Sequence, residues 1–165
     1  MKPPLTILAF AASNSTTSIN KRLALHAAQV LLEDAEGTIK IEVLDLNDFD
    51  LPVYSPKREA AGIPDRAREF YARIGSADGL IISFAEYNGS YTAAFKNVFD
   101  WASRISMQVY QDKPMVLLST SPGKNGGANV LKTAVEAAPF FGGAVQGSLS
   151  IGPFQDRFDQ AAETL

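Results

Sequence analysis

Short apolar runs and segments of helical period take turns along this chain, and that alternation restricts its fold more than any other feature. Residues 5–11 are nearly all apolar, and residues 20–33 carry Leu23, Ala27, Val30 and Leu31 at helical spacing. Residues 38–46 alternate, with Ile39, Ile41 and Val43 on one face. A loop punctuated by Pro52, Pro56 and Pro64 leads to a helix predicted over 65–76. Apolar strands are predicted at 79–84 and 114–120, helices at 92–103 and 127–141, an alternating strand at 144–151, and a closing helix near 156–163. Such alternation implies a parallel sheet with helices on both faces. The first, third and fourth runs are continuously apolar, as strands covered on both faces must be, while the second and fifth alternate and belong at the edges. The resulting order, 2-1-3-4-5, is that of the flavodoxin-like doubly wound α/β sheet, with its switch point between strands 1 and 3. No linker or repeat interrupts the pattern, so residues 1–165 are expected to form one domain, with a ligand at the carboxyl ends of strands 1, 3 and 4.

Composition narrows the chemistry. The chain has no cysteine and one histidine, His26, which excludes thiolate chemistry, cysteine-ligated zinc, iron–sulfur clusters and disulfides. His26 lies in a helical stretch with no matching serine motif, and packing is its expected role. Any redox function therefore rests on a cofactor. A net charge of −3 gives no reason to expect nucleic acid or an anionic membrane as partner. Lys2 with the following apolar run and Ala9-Phe10-Ala11 mimics a short leader, but the run is shorter than such segments require and reads as a strand. No run approaches the about 18 residues of a membrane span, and a cytoplasmic protein is expected.

Three loops stand at the expected ligand position. The first, Ser13 to Asn20, offers five hydroxyls before a helix N-terminus, where free amides and the helix dipole form an anion site. One hydroxyl suffices as a helix cap, so the surplus points to a phosphate. Lys21 and Arg22 follow in a turn that normally favours acidic residues, which suggests that a ligand supplies the negative charge. Neither G-x-G-x-x-G nor G-x-x-x-x-G-K-S/T occurs. In the second loop, Ala85 to Ser90, Asn88-Gly89 signals a turn whose backbone could read the edge of a flat heterocycle, with Tyr87 as an aromatic wall. The third, Ser119 to Gly127, carries one proline and three glycines, as a loop shaped for close backbone approach does.

These blocks resemble, in order, the NADPH-dependent FMN reductases, a group that includes flavin, quinone, azo and chromate reductases. Residues 13–20 are similar to the family phosphate loop G-S-x-R-x-x-S-x-N. Glu86-Tyr87-Asn88-Gly89-Ser90 with Lys96-Asn97-Val98-Phe99-Asp100-Trp101 is similar to P-E-Y-N-G-S…L-K-N-x-x-D-W, and residues 121–127 to S-P-G-x-x-G-G. The resemblance implies that Ser13, Ser15, Ser18 and Asn20 hold an FMN phosphate. It places Glu86, Tyr87, Asn88 and Gly89 along the isoalloxazine, largely through backbone atoms, and Ser121, Pro122 and Gly123 beside the ring and ribityl chain. It puts Asn97, Asp100, Trp101 and Arg104 on a helix the family uses in dimer contacts; packing of that helix on its own sheet, with Trp101 as core, is compatible with this. FMN, NADPH or NADH as cosubstrate, a small electron acceptor, and a homodimer or tetramer follow from the same resemblance.

Two residues depart from the family pattern. Ser15 stands where the loop arginine is aligned, leaving Lys21, Arg22 or Lys124 as substitutes for the lost cation, and Ala85 replaces the proline before Glu-Tyr-Asn. Because the chemistry belongs to the flavin, no catalytic side chain and no metal ligand is named, and Lys124 and Arg104 are candidates for nucleotide contacts. The alternatives are a flavodoxin-type electron carrier, which usually has a T-G-x-T loop and a more acidic surface, and a flavin-binding protein without turnover. A receiver-type signalling domain needs acidic residues where Ala12-Ser13 and Phe84-Ala85 stand.

Overall fold

The pleat of the first strand, β1 (Leu5–Ala12), sends Leu8, Phe10 and Ala12 to one side and Ala9 to the other, and both sets are buried. A computed structural model, which describes residues 3–159, 161, 164 and 165, shows what covers each side. Helix α1 (Ile19–Asp34) lays Leu23 and Ala28 on Ala9, Ile81 and Leu118. The opposite face is larger. There α3 (Asp65–Ser76), α4 (Ala93–Ile105) and α5 (Ala128–Ala137) bury Phe70, Ile74, Phe95, Val98, Trp101 and Val130 against Phe10, Ile82, Phe84 and Leu117. Each such side chain contributes about 1.5–3 kcal/mol of transfer free energy.

Strands β2 (Ile39–Val43), β3 (Gly79–Phe84), β4 (Lys113–Thr120) and β5 (Gly143–Ile151) complete an all-parallel sheet in the order 2-1-3-4-5. The expected order is the observed one. β3 is buried at every residue, as a central strand covered on both faces must be. The two edge strands are only partly covered. On β5 a register shift opposite Met115/Val116 leaves Gln146 as an extra residue, and Leu149 remains exposed.

Three segments differ from the sequence pattern. The helix expected over 127–141 is α5 followed by a 3₁₀ turn, Ala138–Phe141, which ends at Gly142 in the left-handed region. The long loop after β2 carries a 3₁₀ turn, Leu46–Asp48, and a short helix, α2 (Pro56–Ala60), started by Ser55 as cap and Pro56 at the first position. The closing helix expected near 156–163 is instead α6 (Phe154–Arg157), and the chain turns extended at Phe158. The aromatic pair sets this ending: Phe158 stacks on Phe154 with centroids 4.7 Å apart and meets His26 edge-on at 5.9 Å. Residues 160, 162 and 163 of that expected helix lie outside the described residues. His26 is thus a packing residue of α1.

Two residues of α4 hold the loop after β2. The Asn97 carboxamide accepts from the Tyr54 amide at 2.9 Å and donates to the Leu51 and Pro52 carbonyls at 3.0 and 3.3 Å. The Trp101 indole, fully buried, donates to the Pro52 carbonyl at 2.7 Å. Asn97 and Trp101 therefore face their own chain, while Asp100 pairs with Lys96 at 2.6 Å and the Arg104 guanidinium lies 5.8 Å from the centre of the Tyr54 ring. Among the described residues no helix is long and apolar enough to cross a membrane, and no group of side chains could hold a metal ion.

Candidate functional site at the carboxyl ends of the strands

Parallel strands end together, so the loops after β1, β3 and β4 converge on one side of the sheet. The most buried polar residue of the first loop is Asn20, 3 % exposed, in the first turn of α1. Its Oδ1 accepts from the Ser83 hydroxyl at 2.8 Å and from the Thr120 amide at 3.0 Å, and its Nδ2 donates to the Thr120 carbonyl at 3.0 Å. One carboxamide thereby joins the start of α1 to β3 and to the tip of β4. The resemblance implied that Asn20 holds a phosphate; its carboxamide bonds run to the strand ends, which leaves its backbone amide for a ligand.

The remaining residues of this loop divide into supports and open donors. Ser18 caps α1, its Oγ accepting from the Lys21 amide at 3.2 Å, and Ser13 Oγ accepts from the Ser15 amide at 3.2 Å. Both hydroxyls keep a proton to donate. The hydroxyls of Ser15, Thr16 and Thr17 and the amides of Thr16, Thr17, Ile19 and Asn20 have no protein partner among the described residues. Lys21 is engaged elsewhere. Its ammonium meets Asp45 at 2.6 Å, and this hydrogen bond is the largest cause holding the Asp45 carboxyl below its usual value. The loop after β2 thus supplies the acidic partner for a cation that the sequence pattern assigned to a ligand.

The second loop closes on itself. The Tyr87 amide donates to the Ser90 carbonyl at 3.0 Å and the Ser90 amide to the Tyr87 carbonyl at 3.1 Å. Between them Asn88 and Gly89 have φ of 52° and 75°, the left-handed pair that makes Asn-Gly the favoured two-residue turn. Tyr87 therefore has both backbone groups engaged, and the outward backbone groups of the turn are those of Asn88 and Gly89. Thr92, 1 % exposed, fixes the far end of the loop by donating to the Ala12 carbonyl at 3.0 Å and capping α4.

The third loop is pinned from below. The Gly126 carbonyl accepts from Ser119 Oγ at 2.8 Å and from Ser150 Oγ at 3.0 Å, and the Phe154 amide donates to the Ser121 carbonyl at 3.0 Å. Thr120 Oγ1 donates to the Ile151 carbonyl at 2.7 Å. Sequence reading placed Ser119 and Thr120 in this loop without a role of their own and did not single out Ser83. Their signal was a hydroxyl at the carboxyl end of an apolar strand, which must find a partner once buried.

Eight of the expected site residues, Ser13, Ser15, Ser18, Asn20, Glu86, Tyr87, Ser121 and Pro122, line one cavity of about 250 Å³. Asn88, Gly89 and Gly123 are not among its lining residues. Lys124, in the third loop, is exposed and has no protein partner among the described residues. The donor set suits a dianionic phosphate, since hydroxyls and amides at a helix N-terminus can form several charge-assisted bonds without a side-chain cation.

Comparison with known proteins places this arrangement. The family profile described as NADPH-dependent FMN reductase matches residues 5–155. An NADPH:quinone oxidoreductase of Arabidopsis thaliana is 34 % identical over 128 residues, which cover 77 % of this chain and 63 % of that protein. An NAD(P)H-dependent FMN reductase of Pseudomonas aeruginosa is 35 % identical over 101 residues, 59 % of this chain and 54 % of its own length. The chain thus spans between half and two thirds of these curated relatives. Among solved structures, the flavoenzyme NAD(P)H:(acceptor) oxidoreductase FerB of Paracoccus denitrificans superposes with a TM-score of 0.75 at 26 % identity, covering 98 % of this chain and 86 % of that one.

If Asn20 holds the three loops together, replacing it must leave Ser83 and Thr120 with unmatched buried groups. Asn20→Ala is predicted to lower stability by about 3 kcal/mol, read as a shifted urea midpoint at unchanged slope. A loss below about 1 kcal/mol would mean that water replaces the carboxamide at little cost.

Proposed function

The chain belongs to the NADPH-dependent FMN reductase family, and from that premise we propose that it binds FMN and passes electrons from NADPH or NADH through it to a small acceptor such as a quinone, a flavin, an azo compound or a metal oxyanion. The observation that carries this reading is that the hydroxyls of Ser15 and Thr17 and the amides of Thr17, Ile19 and Asn20, without a protein partner among the described residues, belong to residues lining the same cavity as Tyr87, Ser121 and Pro122. A phosphate and a flat ring need these two kinds of surface side by side.

In the proposed complex, Ser13, Ser15 and Ser18 donate hydroxyl protons to the phosphate, joined by the Thr16, Thr17, Ile19 and Asn20 amides at the α1 terminus. Tyr87 supplies an aromatic wall, and the outward backbone groups of Asn88 and Gly89 read the ring edge. Ser121, Pro122 and Gly123 form the facing wall. Ser15 stands where the family carries arginine, so neutral donors replace a charge there, and Lys124 is the cation within the third loop that would complement an incoming nucleotide. Bound there, FMN would supply the redox chemistry between a nicotinamide and an acceptor. The chain's residues hold it, orient it and keep water from its buried side. No acid or base side chain is assigned.

A homodimer through α4, or a tetramer built from such dimers, belongs to the same reading. The outer side of α4 lines a recess of about 250 Å³ with Tyr91, Phe95, Phe99, Tyr110 and Phe141, rimmed by Lys96, Asp100 and Arg104. Burial pushes the Tyr91 hydroxyl up to about 12 and Tyr110 higher still, so both remain neutral in any physiological medium. Met107 at its edge is 51 % exposed. A cytoplasmic location, where nicotinamide nucleotides supply reductant, completes the reading.

Two measurements test it. Purified protein mixed with FMN should show protein-bound flavin bands that bleach on anaerobic addition of NADPH or NADH and return with a quinone; bands that persist with both nucleotides would favour a carrier or a flavin-binding protein without turnover. Light scattering at micromolar concentration should give the mass of a dimer or a multiple of it, and a monomer mass would remove α4 as an interface.

A further inference from the structure

Helix α5 begins without a cap of its own. Its N-cap position is Gly127, held in the left-handed region at φ 78°, and no acidic side chain occupies its first turn. A larger residue is poorly accommodated there, because it would have to adopt that positive φ and its Cβ would lie 3.2 Å from Ser119 Cβ. The missing acceptor comes from another loop. Glu86 Oε2 accepts from the Val130 amide at 2.9 Å, and Oε1 faces Asn129 Nδ2 at 3.4 Å. Val130 is the third residue of α5, whose amide a cap side chain ordinarily serves. The carboxylate also lies at the positive end of the helix dipole.

Glu86 immediately precedes the Tyr87–Ser90 turn, and α5 immediately follows the 121–127 loop. The hydrogen bonds at the base of that loop, from Ser119, Ser150 and Phe154, tie it to β4 and to the β5 side of the sheet. The Glu86 carboxylate ties the opposite wall to the helix that this loop feeds. We propose that Glu86 is a positioning residue: its side chain caps α5 from the β3 loop and so fixes the separation of the two walls between which the flavin ring enters. This rests on the FMN reading above and adds a side-chain part to Glu86, which the resemblance implied would line the ring largely through backbone atoms. The carboxylate also satisfies the α5 terminus, which then does not compete with the α1 terminus for the anionic end of the cofactor.

The test uses the full chain and three variants, Glu86→Ala, Glu86→Gln and Glu86→Asp, with two readouts. The first is amide hydrogen exchange at Val130 without flavin; the second is the FMN dissociation constant from fluorescence titration. Loss of the cap in Glu86→Ala should speed Val130 exchange and weaken FMN binding, each about tenfold. Glu86→Gln, which keeps an acceptor oxygen at the same reach, should return both to within about threefold of the parent. Glu86→Asp, one methylene shorter, should resemble alanine, and it carries the comparison if the alanine variant fails to fold. Unchanged exchange at Val130 in the alanine or aspartate variant would overturn the cap. Faster exchange with parental FMN affinity would confine Glu86 to helix stability and overturn its positioning role. Equal weakening of FMN binding by glutamine and alanine, with Val130 exchange at the parental rate in the glutamine variant, would show that the charge acts apart from the cap, and would also overturn it. If the parent itself binds no FMN, the functional reading fails and the positioning role falls with it, while Val130 exchange still decides whether the cap exists.

Discussion

The carboxamide of Asn20 is the joint on which the site depends. Its oxygen and nitrogen engage both backbone groups of Thr120, as a neighbouring strand would, and the same oxygen receives the Ser83 hydroxyl. The first turn of α1 is thereby locked to two strands at the level where all three loops leave the sheet. In so dry a place these bonds reinforce one another, and each unmatched group would be costly. The consequence reaches solvent. With the helix start fixed from beneath, the hydroxyls of Ser15, Thr16 and Thr17 and the amides of Thr16, Thr17 and Ile19 stay without a protein partner among the described residues, and preorganised donors bind an anion with little ordering left to do.

The scaffold and the site follow one division of labour. Apolar side chains of alternate strand residues bury against α1 on one face and α3, α4 and α5 on the other. At the carboxyl ends the strands change chemistry, and Ser13, Ser83, Ser119 and Thr120 are buried polar residues. The Ser13 and Ser119 hydroxyls hold loop backbone, those of Ser83 and Thr120 hold the Asn20 carboxamide and the end of β5, and the hydroxyls of Ser15, Thr16 and Thr17 have no protein partner among the described residues. The same pattern recurs at Thr92 and Ser150, which fix the β1–α4 junction and the third loop.

Much of this was legible in the sequence. Strand order came from contrasting apolar patterns, because interior parallel strands must be apolar on both sides and edge strands need not be. Loop placement came from the topology, and most of the expected binding residues line one cavity. What escaped were side-chain directions that depend on distant partners. Asn20 could serve a ligand or the interior, and its partners lie 63 and 100 residues away. Lys21 read as a cation awaiting a phosphate, yet its counter-ion, Asp45, comes from the loop after β2. Glu86 belonged to a motif that suggested backbone contact, and nothing local showed that α5 lacked a cap. The closing helix ends at Arg157, and Phe158 packs on Phe154 and on His26, a partner well over a hundred residues away that no local pattern could show.

The central claim is that the outward donors after β1 recognise a phosphate. It is tested most directly by titrating the protein with FMN and with riboflavin, which differ only in that group, in a calorimeter. Two or more charge-assisted hydrogen bonds of about 1.5–3 kcal/mol each predict riboflavin to bind at least about a hundredfold more weakly than FMN. Equal affinity for the two would contradict the account, because the α1 terminus would then have no part in holding the cofactor.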